Sequence, residues 1–555
     1  MESADSLKIV IVGGVAGGAS AAARARRINA SAEITILEKG PAVSFANCGL
    51  PYHIGGEIAD RNKLLVATPE LFWNRFRISV KTLHEVIKID RELQIVHVRA
   101  TLPDGNAQDL TFPYDRLILA PGAEPVRPPF AATFPKNAFQ LWTLPDMDNV
   151  LAYLKTHPVT RVMVVGAGFV GLEVVEQFHR LGIQVDLVER NPQILTRMDP
   201  IFAKMVARVI ESHGVRIMTG VSVESLEIEN GTAVAARLSN GDRVETDLIV
   251  MGIGVRPRTA LASNAGLAIG SAGGIAVNEF LQTSDPNIYA VGDCIEYTYG
   301  VTGEKGLNPL AGAANRAGRI AGHHAASGDA EMMGPVFGTS IVRVFDCTAA
   351  MTGMPEKQLT QRGIEFRTAI IQATNHASYF PGAISMHLKI LYDDPSGQIL
   401  GAQAVGGEGV DKRIDIIATA MQLGGTVYDL AKIDLAYAPP YGSAKDPVHI
   451  AAFVAINDLQ HAPRLTLPDT DLSGLQVVDV RTEKERQLLP LPNAIPIGVD
   501  ELPSRWTELD SNRKTVVVCH SGKRSHVGAS RLVSSGFKEV LNLTGGMSIR
   551  SLTKP

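Results

Sequence analysis

A strand, a glycine-rich turn, a helix, a second strand and a closing acid occur in that order twice in this chain, about 150 residues apart. The first copy takes the apolar run 7–12 into Gly13-Gly14-Val15-Ala16-Gly17-Gly18, an Ala/Arg helix to about residue 29, a strand Glu33–Leu37, and Glu38. The second takes Arg161–Val165 into Gly166-Ala167-Gly168-Phe169-Val170-Gly171, a helix to about residue 181, a strand over 184–188, and Glu189. A continuous apolar strand of this kind belongs in a buried parallel sheet. The glycines let the backbone turn tightly and approach a pyrophosphate at a helix N-terminus. One glycine fingerprint is also compatible with plain strand-to-helix packing. Five elements in order, repeated, specify two Rossmann-like domains, the second inserted into the first.

The two cradles differ in what accompanies them. Glu38, with Lys39 beside it, would accept hydrogen bonds from a ribose diol. Strand-then-turn patterning restarts at Thr283-Ser284-Asp285-Pro286-Asn287-Ile288-Tyr289-Ala290-Val291-Gly292-Asp293, where Asp293 is placed to bond a ribityl chain. This segment belongs with the first fingerprint. Gly13, Gly14, Ala16, Gly17, Gly18, Glu38, Lys39 and Asp293 are therefore assigned to FAD. Gly166, Gly168, Phe169, Val170, Gly171 and Glu189 are assigned to a nicotinamide nucleotide. Glu189 would repel a 2′-phosphate and favours NADH; Arg190 beside it works the other way, which leaves NADPH open.

About 30 residues past the first fingerprint stands Ser44-Phe45-Ala46-Asn47-Cys48-Gly49-Leu50-Pro51-Tyr52. An internal dithiol relay needs two neighbouring sulfurs, usually Cys-x4-Cys in this region, but position 53 is His53. The next cysteines are Cys294, Cys347 and Cys519. Cys48 must react alone, with a substrate sulfur or with oxygen, and as a thiolate. Cys294 and Cys347 read as small core residues.

Beyond residue 333 the patterning changes to that of an α+β domain, 334–460, and a polar, Pro-containing linker is expected over 461–473. The remainder, 474–555, reads as a small α/β unit with strands over 476–480 and Thr515–Val518. Its strand opens into Cys519-His520-Ser521-Gly522-Lys523-Arg524-Ser525. Such a loop turns backbone N–H groups inward and, with Arg524, stabilises a thiolate or persulfide anion. The Cys-x4-Arg spacing is shorter than the Cys-x5-Arg that surrounds a tetrahedral phosphate, and suits one sulfur atom. Asp479-Val480-Arg481 reads as a structural ion pair.

Taken together, residues 1–455 resemble the flavoprotein disulfide reductases with two dinucleotide-binding domains, in their single-cysteine branch. The string 44–51 is similar to the active-site string of coenzyme A disulfide reductases, and 474–555 resembles a rhodanese domain. The arrangement resembles the coenzyme A disulfide reductase–rhodanese fusions, which include NADH-dependent persulfide and polysulfide reductases. The resemblance implies that hydride from NADH reduces FAD and that the electrons reach sulfur bound on Cys48. It implies coenzyme A contacts from Arg24, Arg27, Ser44 and Asn47. It further implies a homodimer, in which Tyr379 (in His376-Ala377-Ser378-Tyr379-Phe380-Pro381-Gly382) and Tyr437 (in Ala436-Tyr437-Ala438-Pro439-Pro440-Tyr441) reach toward the partner's cysteine. Gly545-Gly546-Met547 departs from the family, which commonly carries tryptophan at the third position.

The expected architecture is thus α/β: an FAD domain (1–150 and 283–333), an NAD(P)H domain (151–282), an α+β dimerisation domain (334–460) and a C-terminal rhodanese domain (474–555). The expected activity is NAD(P)H-dependent, FAD-dependent reduction of sulfane sulfur, such as coenzyme A persulfide, with release of sulfide. Alternatives are coenzyme A disulfide reduction and an NADH oxidase or peroxidase cycling through cysteine sulfenic acid. A redox-sensing or sulfur-carrier protein with a regulatory flavin is the reading from another class. A net charge of −4 over 555 residues gives no footing for nucleic acid or a polybasic membrane anchor. No apolar run reaches the ~20 residues of a membrane span, and no metal site is expected. Four scattered cysteines and no visible leader lead to an expected cytoplasmic location.

Overall fold

The computed structural model describes residues 6–128 and 134–553, which form two compact units. Of the described residues, those up to 192 and 215–338 form the first, and 193–214 and those from 339 onward the second.

Two five-stranded parallel sheets organise the first unit. One runs, in spatial order, Ile288–Ala290, Arg116–Leu119, Lys8–Val12, Glu33–Leu37 and Ser79–Lys81. The other runs Arg216–Thr219, Gln184–Glu189, Arg161–Val165, Leu248–Met251 and Ala138–Gln140. Ile9, Ile11, Val162 and Val164 are fully buried, as strands covered on both faces require. Each sheet carries a three-stranded antiparallel appendage, 84–113 and 223–245. The boundary at residue 150 needs correcting: Ala138–Gln140 pairs with Leu248–Met251, so the second domain's sheet recruits its edge from before that point. Three residues are too short to reveal by pattern which sheet they join.

Helix Ala16–Ile28 packs along Ala311–Ser327 with almost no intervening side chain. A Cβ on Gly318 or Gly322 would fall 2.1–2.2 Å from the carbonyl oxygens of Gly17 and Ala21. The glycine- and alanine-rich faces of both helices are what permit that approach.

In the second unit an antiparallel sheet runs Ser340–Val344, Cys347–Gly353, Ile399–Gly406, Ser385–Tyr392 and Arg367–Thr374. Segment 193–214, expected with the second dinucleotide domain, belongs here instead. Its physical tie is charge: buried Lys389 lies 2.7 Å from both Asp199 and Glu356, and Gln403 donates to Asp199 at 2.8 Å. The C-terminal sheet is parallel, in the order Arg464–Thr466, Val540–Leu543, Thr515–Val518, Gln476–Asp479 and Ile495–Pro496. Its first strand lies within the stretch expected as linker, so part of 461–473 is sheet.

Candidate active site

The first glycine turn is built as its sequence requires. Gly13 has φ +91°, and a Cβ there would lie 2.2 Å from the Ala120 carbonyl oxygen. A Cβ on Gly18 would reach 1.9 Å from the Gly13 oxygen, so this position in the first turn of the helix admits only glycine. Gly14 N–H donates to Glu38 Oε2 at 2.8 Å and Gly40 N–H to Oε1 at 2.7 Å, which anchors the acid at the turn. Lys39 instead pairs with Glu85 on the surface, at 2.7 Å. Burial pushes the Asp293 carboxyl up to about 6. A carboxylate of that kind fits a ligand that brings hydroxyl donors, as a ribityl chain does.

The second turn repeats the design. Gly166 has φ +100°, and the space around Gly168 is open where a ligand backbone would approach. Glu189 accepts from Ala167 N–H at 2.9 Å through one oxygen and from Asn191 through the other. Phe169, Val170 and Gly171 open the helix Phe169–Arg180. Val170 is exposed and Gly171 packs on the Gly166 carbonyl.

Cys48 is exposed in a 3-10 turn, Asn47–Gly49, that runs into helix Leu50–Ile54. All four cysteines are free thiols. The Asn47 side chain accepts from the Cys48 amide at 3.1 Å. Ser44 sits in the left-handed region (φ +48°), with its N–H donating to the Gly14 carbonyl and its carbonyl accepting from Val66. Partial burial, then the charges of Glu173 and Asp293, push the Cys48 thiol up. Glu173 is a residue that sequence reasoning missed. It comes from the helix of the second fingerprint and accepts a hydrogen bond from Tyr52 at 3.1 Å, and Gln177 from the same helix donates to Glu57 at 2.9 Å. The segment beyond Cys48 is thereby fastened to helix Phe169–Arg180. The spacing Gly171-x-Glu173 holds a sequence clue, but its partner Tyr52 lies outside any local pattern.

Of the arginines on the first helix, Arg24 lies 3.2 Å from His323 and Arg27 stacks over Phe76. Arg26 between them holds the carbonyls of Phe76 and Arg77. In the second unit the phenol oxygens of Tyr379 and Tyr437 are 3.0 Å apart.

At the C-terminal loop, Cys519 is buried, and its sulfur accepts from Gly522 N–H at 3.1 Å and lies 3.3 Å from the Ser525 oxygen, whose hydroxyl donates to Asn542 Oδ1 at 2.6 Å. Arg524 does not bond that sulfur. Its two terminal nitrogens donate to Glu485, which is thereby drawn down to about 2. Arg524 still stands close enough for its charge to be felt at Cys519. Glu485 and Ser525 were not among the expected residues. Arg481 and Asp479 form a buried ion pair at 2.6 Å. Met547 is buried, and its N–H donates to the Cys519 carbonyl at 2.8 Å, so the last turn packs with methionine in place.

Residues 7–330 match the pyridine nucleotide-disulphide oxidoreductase family. The chain belongs to that family. Residues 339–447 match its dimerisation domain and 467–548 a rhodanese-like domain. A coenzyme A disulfide reductase of Staphylococcus aureus (strain JH9) is 37% identical over 448 residues, covering 81% of this chain and 99% of its own. The crystal structure of reduced Bacillus anthracis CoADR-RHD superposes with a TM-score of 0.93 at 39% identity, over 99% of this chain and 98% of that one. A NAD-dependent persulfide reductase from A. fulgidus gives 0.90 at 34% identity, over 98% and 100%. The chain is thus a pyridine nucleotide-disulphide oxidoreductase with a rhodanese-like domain at its C-terminal end. Among the described residues no helix is long and apolar enough to cross a membrane.

Proposed function

We propose that this protein is an NADH-dependent persulfide reductase that uses FAD and acts on sulfane sulfur carried by coenzyme A, with Cys48 as the reacting thiol. The net reaction is R–S–SH + NADH + H⁺ → R–SH + H₂S + NAD⁺. One observation carries this reading: an exposed cysteine without a second sulfur beside it shares a chain with a buried cysteine whose sulfur accepts a backbone N–H of its own loop.

FAD, when bound, takes hydride from NADH and supplies electrons to sulfur. Gly13, Gly14, Ala16, Gly17, Gly18, Glu38 and Asp293 would hold it, while Gly166, Gly168, Phe169, Val170, Gly171 and Glu189 would hold the nicotinamide nucleotide. Cys48 attacks an S–S bond of the substrate as a thiolate, and the leaving thiolate or hydrosulfide takes up a proton. Arg24, Arg27, Ser44 and Asn47 orient coenzyme A. The protein acts as a homodimer, in which the Tyr379–Tyr437 pair protonates or stabilises the leaving sulfur at the other protomer's Cys48. Cys519 holds a persulfide on the inward-facing N–H groups of its loop, with the charge of Arg524 nearby. Four free thiols suit a reducing cytoplasm.

The test is anaerobic NADH oxidation with coenzyme A persulfide, coenzyme A disulfide, polysulfide and peroxide in parallel, on wild type, Cys48→Ser and Cys519→Ser. Persulfide should be the fastest acceptor, and Cys48→Ser should abolish its turnover; retained turnover in that variant would sink the assignment. Faster turnover of coenzyme A disulfide would favour the second reading, which the relative without the C-terminal domain supports.

A further inference from the structure

A short relay of hydrogen bonds joins the dimerisation sheet to the back of the Cys519 loop. Strand Arg367–Thr374 is an edge of its sheet, so the outward N–H and C=O groups on that side need partners from elsewhere. At Ile370 they find Thr544. Ile370 N–H donates to Thr544 Oγ1 at 2.7 Å, and that hydroxyl donates to the Ile370 carbonyl at 3.1 Å. Gly545 N–H donates to the same carbonyl at 3.0 Å. Thr544 is almost wholly buried, so both bonds are out of water's reach.

The chain then turns through Gly545 and Gly546, at φ +69° and +63°, and meets the sulfur loop from behind. Met547 N–H donates to the Cys519 carbonyl at 2.8 Å and Ser548 N–H to the His520 carbonyl at 2.9 Å. A Cβ on Gly546 would stand 2.5 Å from the His520 oxygen, so the turn and loop leave no slack. In a trans peptide the carbonyl and the next N–H point opposite ways. Fixing the carbonyls of Cys519 and His520 against the turn therefore fixes the N–H groups of His520 and Ser521 on the other side, directly ahead of the Gly522 N–H that reaches the sulfur. Further along the sheet, His387 lies close enough to His520 to be influenced by it.

We propose that Thr544 is a positioning residue for the chemistry of Cys519, holding the loop's donors in place by fastening the Gly545-Gly546 turn to Ile370 of the dimerisation sheet. This rests on the reading of Cys519 as the sulfur carrier. The sulfur-transfer loop is then set by a neighbouring domain of the same chain, and not by the rhodanese fold alone.

The experiment uses the full-length, flavin-loaded protein as wild type, Thr544→Val, Thr544→Ala and Thr544→Ser. Iodoacetamide alkylation of Cys519 is followed against pH by peptide mass spectrometry, sulfur transfer from thiosulfate to cyanide is assayed alongside, and NADH-dependent reduction of coenzyme A disulfide checks the fold. The Val and Ala variants should lose sulfur transfer at least tenfold and shift the Cys519 alkylation profile to higher pH, while Ser, which keeps the hydroxyl, stays within twofold of wild type. A wild-type alkylation profile in Val or Ala, or a Ser variant as impaired as Val, overturns the proposal. Should wild type itself transfer no sulfur, the carrier reading falls, and the alkylation profiles still decide the role of Thr544.

Discussion

The phenol oxygens of Tyr379 and Tyr437 lie 3.0 Å apart although 58 residues separate them in the chain. Buried Arg413 brings their loops together, donating to the Asn375 carbonyl at 2.7 Å and to Asp446 at 2.8 Å. Ala377 N–H adds a bond to Gly442. The hydrogen bond to Tyr379 comes first among the causes that push the Tyr437 phenol above its usual range, followed by partial desolvation and the charge of its neighbour. The Tyr437 phenol thus stays protonated through neutral pH, as a proton donor must.

Tyr379→Phe and Tyr437→Phe should each lower persulfide turnover about 100-fold if the pair delivers the proton to the leaving sulfur. Because the two hydroxyls act as one unit, the double variant should be no slower than the slower single one. Steady-state NADH oxidation by the three variants decides it. Additive losses would mean that the phenols work separately.

Glu173 sets the acidity of Cys48 in part, by placing a negative charge near its sulfur. Replacing it with Gln removes that charge and lowers the thiol pKa, which raises the thiolate fraction at neutral pH. Alkylation of Cys48 at pH 7 should speed up in Glu173→Gln by about two- to tenfold, since one pKa unit is a factor of ten in thiolate. Unchanged or slower alkylation would remove Glu173 from the electrostatics of the site.

How far the sequence reaches follows from how local each feature is. The glycine turns at 13–18 and 166–171 and the Cys519 loop are each written within a few residues, because a tight turn and a helix start are local events. Tyr52–Glu173, Arg524–Glu485 and Lys389–Asp199 are not. Each joins residues far apart in the chain, and no periodicity marks a charge that will find its partner only after folding. Short edge strands fail for a related reason: Ala138–Gln140 and Arg464–Thr466 hold three residues each, too few for any alternation to register.

The Arg524–Glu485 pair makes a prediction about acid stability. Glu485 titrates at about 2 in the folded protein against an ordinary 4.5. A depressed carboxylate stabilises the fold above its unfolded pKa and loses that contribution as pH falls toward 2. With the pair partly exposed, the screened contribution is about 1 kcal/mol. Glu485→Gln should therefore raise hydrogen exchange in helix Glu483–Leu488 at pH 7, and the difference from wild type should vanish as pH drops from 4.5 to 2. A difference that persists at the acid end would place its origin elsewhere than in this charge.

Among the described residues Lys389 is the one cation that contacts buried Asp199 and half-buried Glu356. Burial pushes the Asp199 carboxyl up, while Lys389 opposes that push and lets the acid stay charged. Lys389→Ala leaves buried Asp199 facing half-buried Glu356 with no counter-charge, and removing one partner of a buried pair such as Lys389–Asp199 typically costs about 3–5 kcal/mol. Because Asp199 begins the helix Pro200–Ser212, the loss should appear first as easier release of segment 193–214. Limited proteolysis should cut Lys389→Ala within that segment at least tenfold faster than wild type at neutral pH. Lowering the pH should narrow the gap, because protonating Asp199, whose carboxyl burial pushes up, relieves the repulsion that Lys389 no longer offsets. Lys389→Met, which restores the volume but not the charge, should behave like Ala in this assay; protection equal to wild type in Met would show that packing, and not the ion pair, holds the segment in place.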